Sequence, residues 1–182
     1  MRKLLYASIA GVTLSGCTGI PKGTEAVTGF ELERYLGQWY EIARLDHSFE
    51  RGLDCVTADY SLRDDEGVRV INRGYNLEEG TWNEAEGRAY FIEDKTVGRL
   101  KVSFFGPFYG GYNILELDED YDWALVAGPN RDYLWILSRT PQLDPQVEQR
   151  LRQRAAELDF PIDDLIEVEQ GNACPNPPAS AA

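Results

Sequence analysis

The sequence predicts an all-β domain, an eight-stranded antiparallel up-and-down barrel with one C-terminal amphipathic helix packed outside it. Three observations predict this class. Residues 37–138 are a succession of short apolar or alternating runs cut by Asp, Glu, Gly, Asn and Pro. Turn-forming clusters at 64–67, 78–80 and 128–132 separate neighbouring runs closely enough for hairpins. Beyond residue 141 the period changes from two to that of a helix. The chain has 182 residues, 43% of them hydrophobic, with 10 Tyr, 7 Phe and 4 Trp, which suits the core of one domain and is too apolar for a disordered acidic segment.

The elements follow in order. A short helical segment at 30–36 precedes strands at 37–46, 56–62, 68–75, 87–93, 100–105, 111–117, 123–127 and 134–139. Val56, Ala58 and Tyr60 oppose Thr57, Asp59 and Ser61 across their strand, and Leu100, Val102 and Phe104 oppose Lys101, Ser103 and Phe105. Each run therefore has one protected face and one more polar face, as in a small soluble barrel. Eight strands in a meander can close on themselves, which removes exposed edges and encloses side chains or one small ligand. Asp144 caps a helix that begins at Pro145, and Val147, Leu151, Ala155 and Leu158 form its single apolar stripe. Pro161 limits that helix, and residues 165–168 form a short strand candidate.

The segment 104–112 holds five aromatic residues among Gly and Pro. It can fold inward, form an apolar rim around a cavity, or pack against a second copy in a homodimer, and the sequence leaves these open. Glu41 shares the parity of Trp39, so it points inward and needs a hydrogen bond or a cationic partner. Arg69, Arg73 and Tyr75 lie on the face opposite Val70 and Asn72, where a solvated or salt-bridged role is favoured over a headgroup contact.

Lys and Arg total 18 against 31 Asp and Glu, a net charge of −13 that argues against nucleic-acid binding. With one histidine, no Gly-x-Ser-x-Gly elbow, no His-Glu-x-x-His and no paired-cysteine cluster, the sequence offers no catalytic residue, no metal site and no cofactor. His47, beside Asp46 and before Phe49, reads as a loop or mouth residue.

The N-terminus reads as an address. Met1, Arg2 and Lys3 precede a mostly apolar stretch at 4–14, which is too short for a membrane span of about 20 residues and is characteristic of a signal peptide, here 1–16. Leu14-Ser15-Gly16-Cys17 resembles the lipobox of bacterial lipoproteins, which implies cleavage before Cys17 and lipid modification of its thiol. In that group Thr18, where an aspartate would retain the protein at the inner membrane, implies passage to the outer membrane. Residues 17–28, with Gly19, Pro21 and Gly23, then make a lipidated tether, 29–174 the barrel domain and 175–182 a flexible tail. Setting Cys17 aside leaves Cys55 and Cys174, which an oxidising compartment favours as a disulfide over two free thiols.

Three segments carry a family resemblance. Gly37-Gln38-Trp39-Tyr40 after the short helix, Asp120-Tyr121 before Trp123-Ala124-Leu125-Val126, and Leu134-Trp135-Ile136-Leu137-Ser138-Arg139 resemble the three signature regions of lipocalins. Glu119 before Asp120 departs from the strict Thr-Asp-Tyr form. Tyr40-Glu41-Ile42-Ala43-Arg44, Phe49-Glu50-Arg51-Gly52-Leu53 and the segments 102–112 and 128–133 are similar to the bacterial outer-membrane lipocalins, a branch related to apolipoprotein D.

The resemblance implies that Gly37, Trp39 and Arg139 close one end of the barrel as a structural signature. It also implies a non-enzymatic calyx that binds a fatty acid, lysophospholipid or similar amphiphile, for storage or transport, anchored at the periplasmic face of an outer membrane. Strand alternation then places Ala58, Tyr60, Ala89, Phe91, Val102, Phe104 and Tyr112 on the ligand wall. Haem or pigment carriage is compatible with the same calyx, and the main alternative is a structural or adaptor lipoprotein whose barrel is filled by its own side chains.

Overall fold

The computed structural model describes residues 18–177, so the leader, Cys17 and residues 178–182 lie outside the described residues. A short helix, α1 (Leu32–Tyr35), leads into β1 (Gly37–Leu45), β2 (Leu53–Leu62), β3 (Val68–Asn76) and β4 (Thr81–Phe91). Then come β5 (Arg99–Ser103), β6 (Gly110–Leu117), β7 (Trp123–Ala127), β8 (Leu134–Ser138), α2 (Pro145–Glu157) and a short β9 (Leu165–Glu167). Neighbours in sequence pair antiparallel from β2 to β8, and β1 pairs with both β8 and β2. That double pairing closes the eight strands into a barrel.

Closure fixes two unlike ends. Connections β1–β2, β3–β4, β5–β6 and β7–β8 turn at one end, and α1 with the other connections lies at the opposite end. Strand β4 begins at Thr81 and not at 87, because among its first residues Trp82 and Ala85 fall on opposite faces between polar neighbours and give no periodic signal. Pairing supplies what hydrophobicity does not: the ladder with β3 runs unbroken from Val68↔Ala89 to Asn76↔Thr81. On its outer face Arg69 meets Glu86 at 2.8 Å and Arg73 meets Glu84 at 2.7 Å. Those two arginines are therefore salt-bridged, and neither faces the interior.

The core is split by the barrel wall. One cluster lies inside the barrel, including Phe30, Tyr35, Trp39, Val70, Ile114 and Val126. A second lies outside, where Leu151 and Ala155 of α2 cover Ala43, Leu125, Leu134 and Ile136. Helix α2 starts where the sequence places it: the Asp144 carboxylate accepts from the backbone amides of Gln146 at 2.8 Å and Val147 at 3.4 Å, satisfying donors that the first turn leaves free. Burying Leu151 contributes about 2 kcal/mol, so the helix is held by its stripe and not by its charged faces.

Strand β9 repairs a seam. Strands β1 and β2 pair only from Gly37↔Tyr60 to Tyr40↔Thr57, after which β2 bulges and Cys55 takes φ +56°. Beyond that point β9 pairs with β1 from Ala43↔Glu167 to Leu45↔Leu165. The Gln170 side-chain amide donates to the carbonyls of Glu41 at 2.9 Å and Val56 at 2.8 Å, bridging the divided strands. The expected disulfide Cys55–Cys174 lies at the same seam.

Residues 18–28, read from the sequence as a tether, are pinned to β6 and to the β4–β5 connection, and Val27 packs against the interior cluster. The Val27 amide donates to Ile114 at 2.9 Å, the Gly98 amide to Val27 at 2.9 Å, and the Asn113 side-chain amide to the Gly19 carbonyl at 3.0 Å.

Candidate functional site

The closed end is built from the signature residues. Gly37 has φ +90°, a conformation that side chains disfavour, and the Arg139 guanidinium lies 3.6 Å from where a Cβ would stand. That guanidinium stacks 3.9 Å from the Trp39 ring centroid. It donates to the carbonyls of Arg34 at 2.6 Å, Gln38 at 3.0 Å and Tyr121 at 3.2 Å. Burial holds its pKa below the usual arginine value, but three carbonyl acceptors and an aromatic face keep it satisfied. Trp39 in turn donates its indole N–H to the Tyr35 carbonyl at 2.8 Å. This end seals the barrel and offers nothing to a ligand.

All seven residues read as the ligand wall belong to the interior cluster or pack against it: Ala58, Tyr60, Ala89, Phe91, Val102, Phe104 and Tyr112. Their accessibility is graded. Trp39, Ala124 and Val126 are fully buried, whereas Ala58, Phe91, Val102, Phe104 and Tyr112 are only half-buried, and Asn83 and Ala85, on the same face of β4 as Gly87 and Ala89, are exposed. Solvent therefore reaches the interior wall. Phe104 leans across the wall so closely that a Cβ on Gly87 would come within 2.8 Å of its ring.

Three tyrosines lie across the interior. The Tyr112 hydroxyl is 2.7 Å from that of Tyr35 and 2.9 Å from that of Tyr60. Burial raises the pKa of all three, so the hydroxyls stay neutral and bond to one another. This network ties α1 to β2 and β6.

Toward the open end the interior becomes polar. Glu41 points inward as its parity predicts, and its carboxylate accepts from Arg44 at 2.9 Å. Arg44 also donates to the carbonyls of Glu50 at 2.9 Å and Leu53 at 3.0 Å. Glu50 accepts from the Trp135 indole at 3.1 Å and lies 3.0 Å from His47, whose ring stacks on Phe49 with centroids 3.9 Å apart. Burial first, and the neighbouring Glu50 carboxyl second, raise the Glu41 pKa well above the ordinary carboxylate range. His47 is thus a buried member of the mouth, consistent with its reading as a loop or mouth residue.

Arg44, Glu50 and Trp135 are the interior residues that alternation missed. The register shift between Glu41 and Ala43 inserts one residue, so Glu41 and Arg44 reach the same face despite their odd spacing. Glu50 lies in a connection and has no strand parity to read.

A groove of about 690 Å³ lies outside the barrel, between α2 and the β6–β7 connection. Its walls carry charges that already pair, with Arg154 at 2.7 Å from Glu116 and 3.5 Å from Glu157. It is a solvated seam, and the wall residues lie elsewhere. Among the described residues no group of three or more His, Cys, Asp and Glu is placed to hold a metal ion.

Comparison with known proteins gives one family. Residues 30–170 match the lipocalin-like domain family. The chain is 52% identical to the outer membrane lipoprotein Blc of Vibrio cholerae, over 92% of its own length and 99% of that protein. It is 34% identical to apolipoprotein D of Rattus norvegicus, over 95% and 96% of the two chains. Insecticyanin from the tobacco hornworm Manduca sexta shares the fold, with a TM-score of 0.68 at 21% identity, covering 86% of this chain and 89% of that one.

Proposed function

The chain belongs to the lipocalin family, and from that premise we propose that it binds fatty acids, lysophospholipids or similar amphiphiles, for storage or transport at the periplasmic face of an outer membrane. Lipid on Cys17 anchors it there, and the activity is binding without turnover. One observation carries the ligand class: an apolar wall inside a sealed-bottom barrel remains accessible to solvent, with its charged groups gathered at the mouth and neutral tyrosine hydroxyls in its depth. An acyl chain laid along that wall gains about 0.8 kcal/mol per methylene removed from water, enough to drive binding with no covalent step. Ala58, Ala89, Phe91, Val102 and Phe104 supply the apolar surface, and Tyr60 and Tyr112 the hydroxyl-bearing depth.

The test is mass spectrometry of gently extracted protein together with a fatty-acid titration of the delipidated chain. Co-purified acyl species and a saturable titration are expected. A barrel filled by its own side chains would release no lipid and show no saturation, which would replace the carrier with a structural or adaptor lipoprotein. Depletion of the lipid with a product accumulating in time would point to an enzyme.

A further inference from the structure

Among the described residues, six large apolar side chains are exposed, and four of them stand at the open end: Phe49 at 55%, Leu77 at 63%, Phe105 at 79% and Phe108 at 80%. They come from three separate connections, β1–β2, β3–β4 and β5–β6, so they ring the mouth and do not form one accidental loop patch. Within the segment 104–112, Phe105 and Phe108 therefore face outward, while Phe104 and Tyr112 turn inward.

Its cations are placed to match. Although the chain carries a net charge of −13, the β5–β6 connection rests on Arg88 and Lys101. Arg88 donates to the Tyr109 hydroxyl at 3.2 Å, and the Lys101 ammonium lies 5.2 Å from the Tyr109 ring centroid. Neither is in a salt bridge among the described residues. Two unpaired cations just behind protruding phenylalanines have the order of charges that a phospholipid surface presents, with phosphate above acyl chain.

The start of the described chain fixes the orientation. The Gly19 carbonyl lies 2.5 Å from where a Cβ of Gly111 would stand, and it accepts from Asn113, which also donates to Gly128 at 3.0 Å. These partners lie at the mouth-side ends of β6 and β7. From Gly19 to Cys17 the chain spans at most about 7 Å. The described chain thus begins on the outer side of β5 and β6, where the Thr18 carbonyl accepts from Arg99 at 3.4 Å, on the part of the wall whose connection carries Phe105 and Phe108.

We propose that the open end of the barrel docks against a zwitterionic phospholipid bilayer, with Phe49, Leu77, Phe105 and Phe108 at the acyl boundary and Arg88 and Lys101 at the phosphates. The calyx then opens onto the membrane and not onto the periplasm. The orientation rests on the anchoring proposed above, while the docking rests on the rim itself.

The experiment places single tryptophans at Phe49, Leu77, Phe105 or Phe108 of the mature lipidated chain, with Leu62→Trp as control. Leu62 is exposed at 56% but ends β2 at the closed end. Each protein is reconstituted on vesicles of phosphatidylethanolamine and phosphatidylcholine with brominated acyl chains. The fluorescence added at the four rim positions should fall about twofold or more, and that at Leu62→Trp should not change. Quenching absent at the rim, or equal at Leu62→Trp, overturns the docking. A rim emission that shifts with protein concentration without vesicles assigns the rim to a second copy and overturns it equally. Ligand content and N-terminal mass are measured on the same samples, so a failed orientation is distinguished from a failed carrier or a missing anchor.

Discussion

Replacing Tyr112 by Phe removes one oxygen and strands two others. In the folded chain the Tyr112 hydroxyl is the partner of both Tyr35 and Tyr60, at 2.7 and 2.9 Å, and among the described residues neither of those hydroxyls has another side-chain or backbone partner. Tyr35 and Tyr60 are 3% and 7% exposed, so water replaces the lost bonds poorly. Leaving a buried hydroxyl unpaired costs about 1 to 3 kcal/mol. Two stranded hydroxyls at the low end, since Tyr112 itself is half-buried, give about 2 to 4 kcal/mol for Tyr112→Phe. Tyr35→Phe or Tyr60→Phe breaks one bond and leaves Tyr112 bonded to the other, for about 1 kcal/mol each. Replacing all three by Phe removes every stranded group and should recover much of the Tyr112→Phe loss. Urea unfolding followed by tryptophan fluorescence, with the disulfide intact, measures all four. If Tyr112→Phe costs no more than Tyr35→Phe, the hydroxyls have other partners and the network is not a closed one.

Three further outcomes are expected. The raised pKa of Glu41 means that the folded chain holds a proton the unfolded chain releases, so stability falls as pH rises through the folded-state value; Glu41→Gln, which still accepts from Arg44, should raise the urea midpoint more at about pH 8 than at about pH 5. An equal shift at both would remove the buried acid as the cause. Replacing Cys55 and Cys174 together by Ser opens a link with a sequence separation of 119, for a loss of about 4 to 5 kcal/mol from the unfolded-state constraint, and a loss below about 1 kcal/mol in the same assay would reject that account. Arg139→Met keeps the bulk over Trp39 but loses three carbonyl bonds and the cation stack, costing about 2 to 4 kcal/mol, with the fatty-acid titration of the folded fraction unchanged.

What was legible in the sequence was what repeats. The alternation of Leu100, Val102 and Phe104 places β5 and its inward face, and the stripe from Val147 to Leu158 places α2 and its cap. The first residues of β4 carry no such repeat, since Trp82, Asn83, Glu84, Ala85 and Glu86 distinguish the two faces weakly, and only the β3 ladder makes them a strand. The site divides the same way. Inward-facing residues on regular strands follow from parity, whereas Arg44 is hidden by a bulge and Glu50 by a connection that folds inward. The rim was one of three readings that the segment 104–112 left open: Phe105 and Phe108 also look like core residues, and only the turn that carries them turns them outward.

The mouth cluster also limits what part of an amphiphile the barrel can read. Among the described residues the cation within the interior cluster is Arg44, and it is already held by Glu41, Glu50 and Leu53. Arg69, Arg73 and Lys101 lie on the outer face, so no free cation faces a carboxylate drawn inside. A bound fatty acid therefore keeps its headgroup in the water at the mouth, and its affinity comes from the chain. At about 0.8 kcal/mol per methylene, dissociation constants should fall about fourfold for each added carbon until the tail outgrows the calyx. A fatty acid and its methyl ester of equal length should then bind within about threefold of one another, because both place the same methylenes on the wall. Competition titrations across a chain-length series, in acid and ester pairs, read both quantities. An ester bound more than about tenfold more weakly than its acid would mean that a cation reads the carboxylate after all, either Arg88 or Lys101 at the rim or an Arg44 that has left its carboxylate and carbonyl partners.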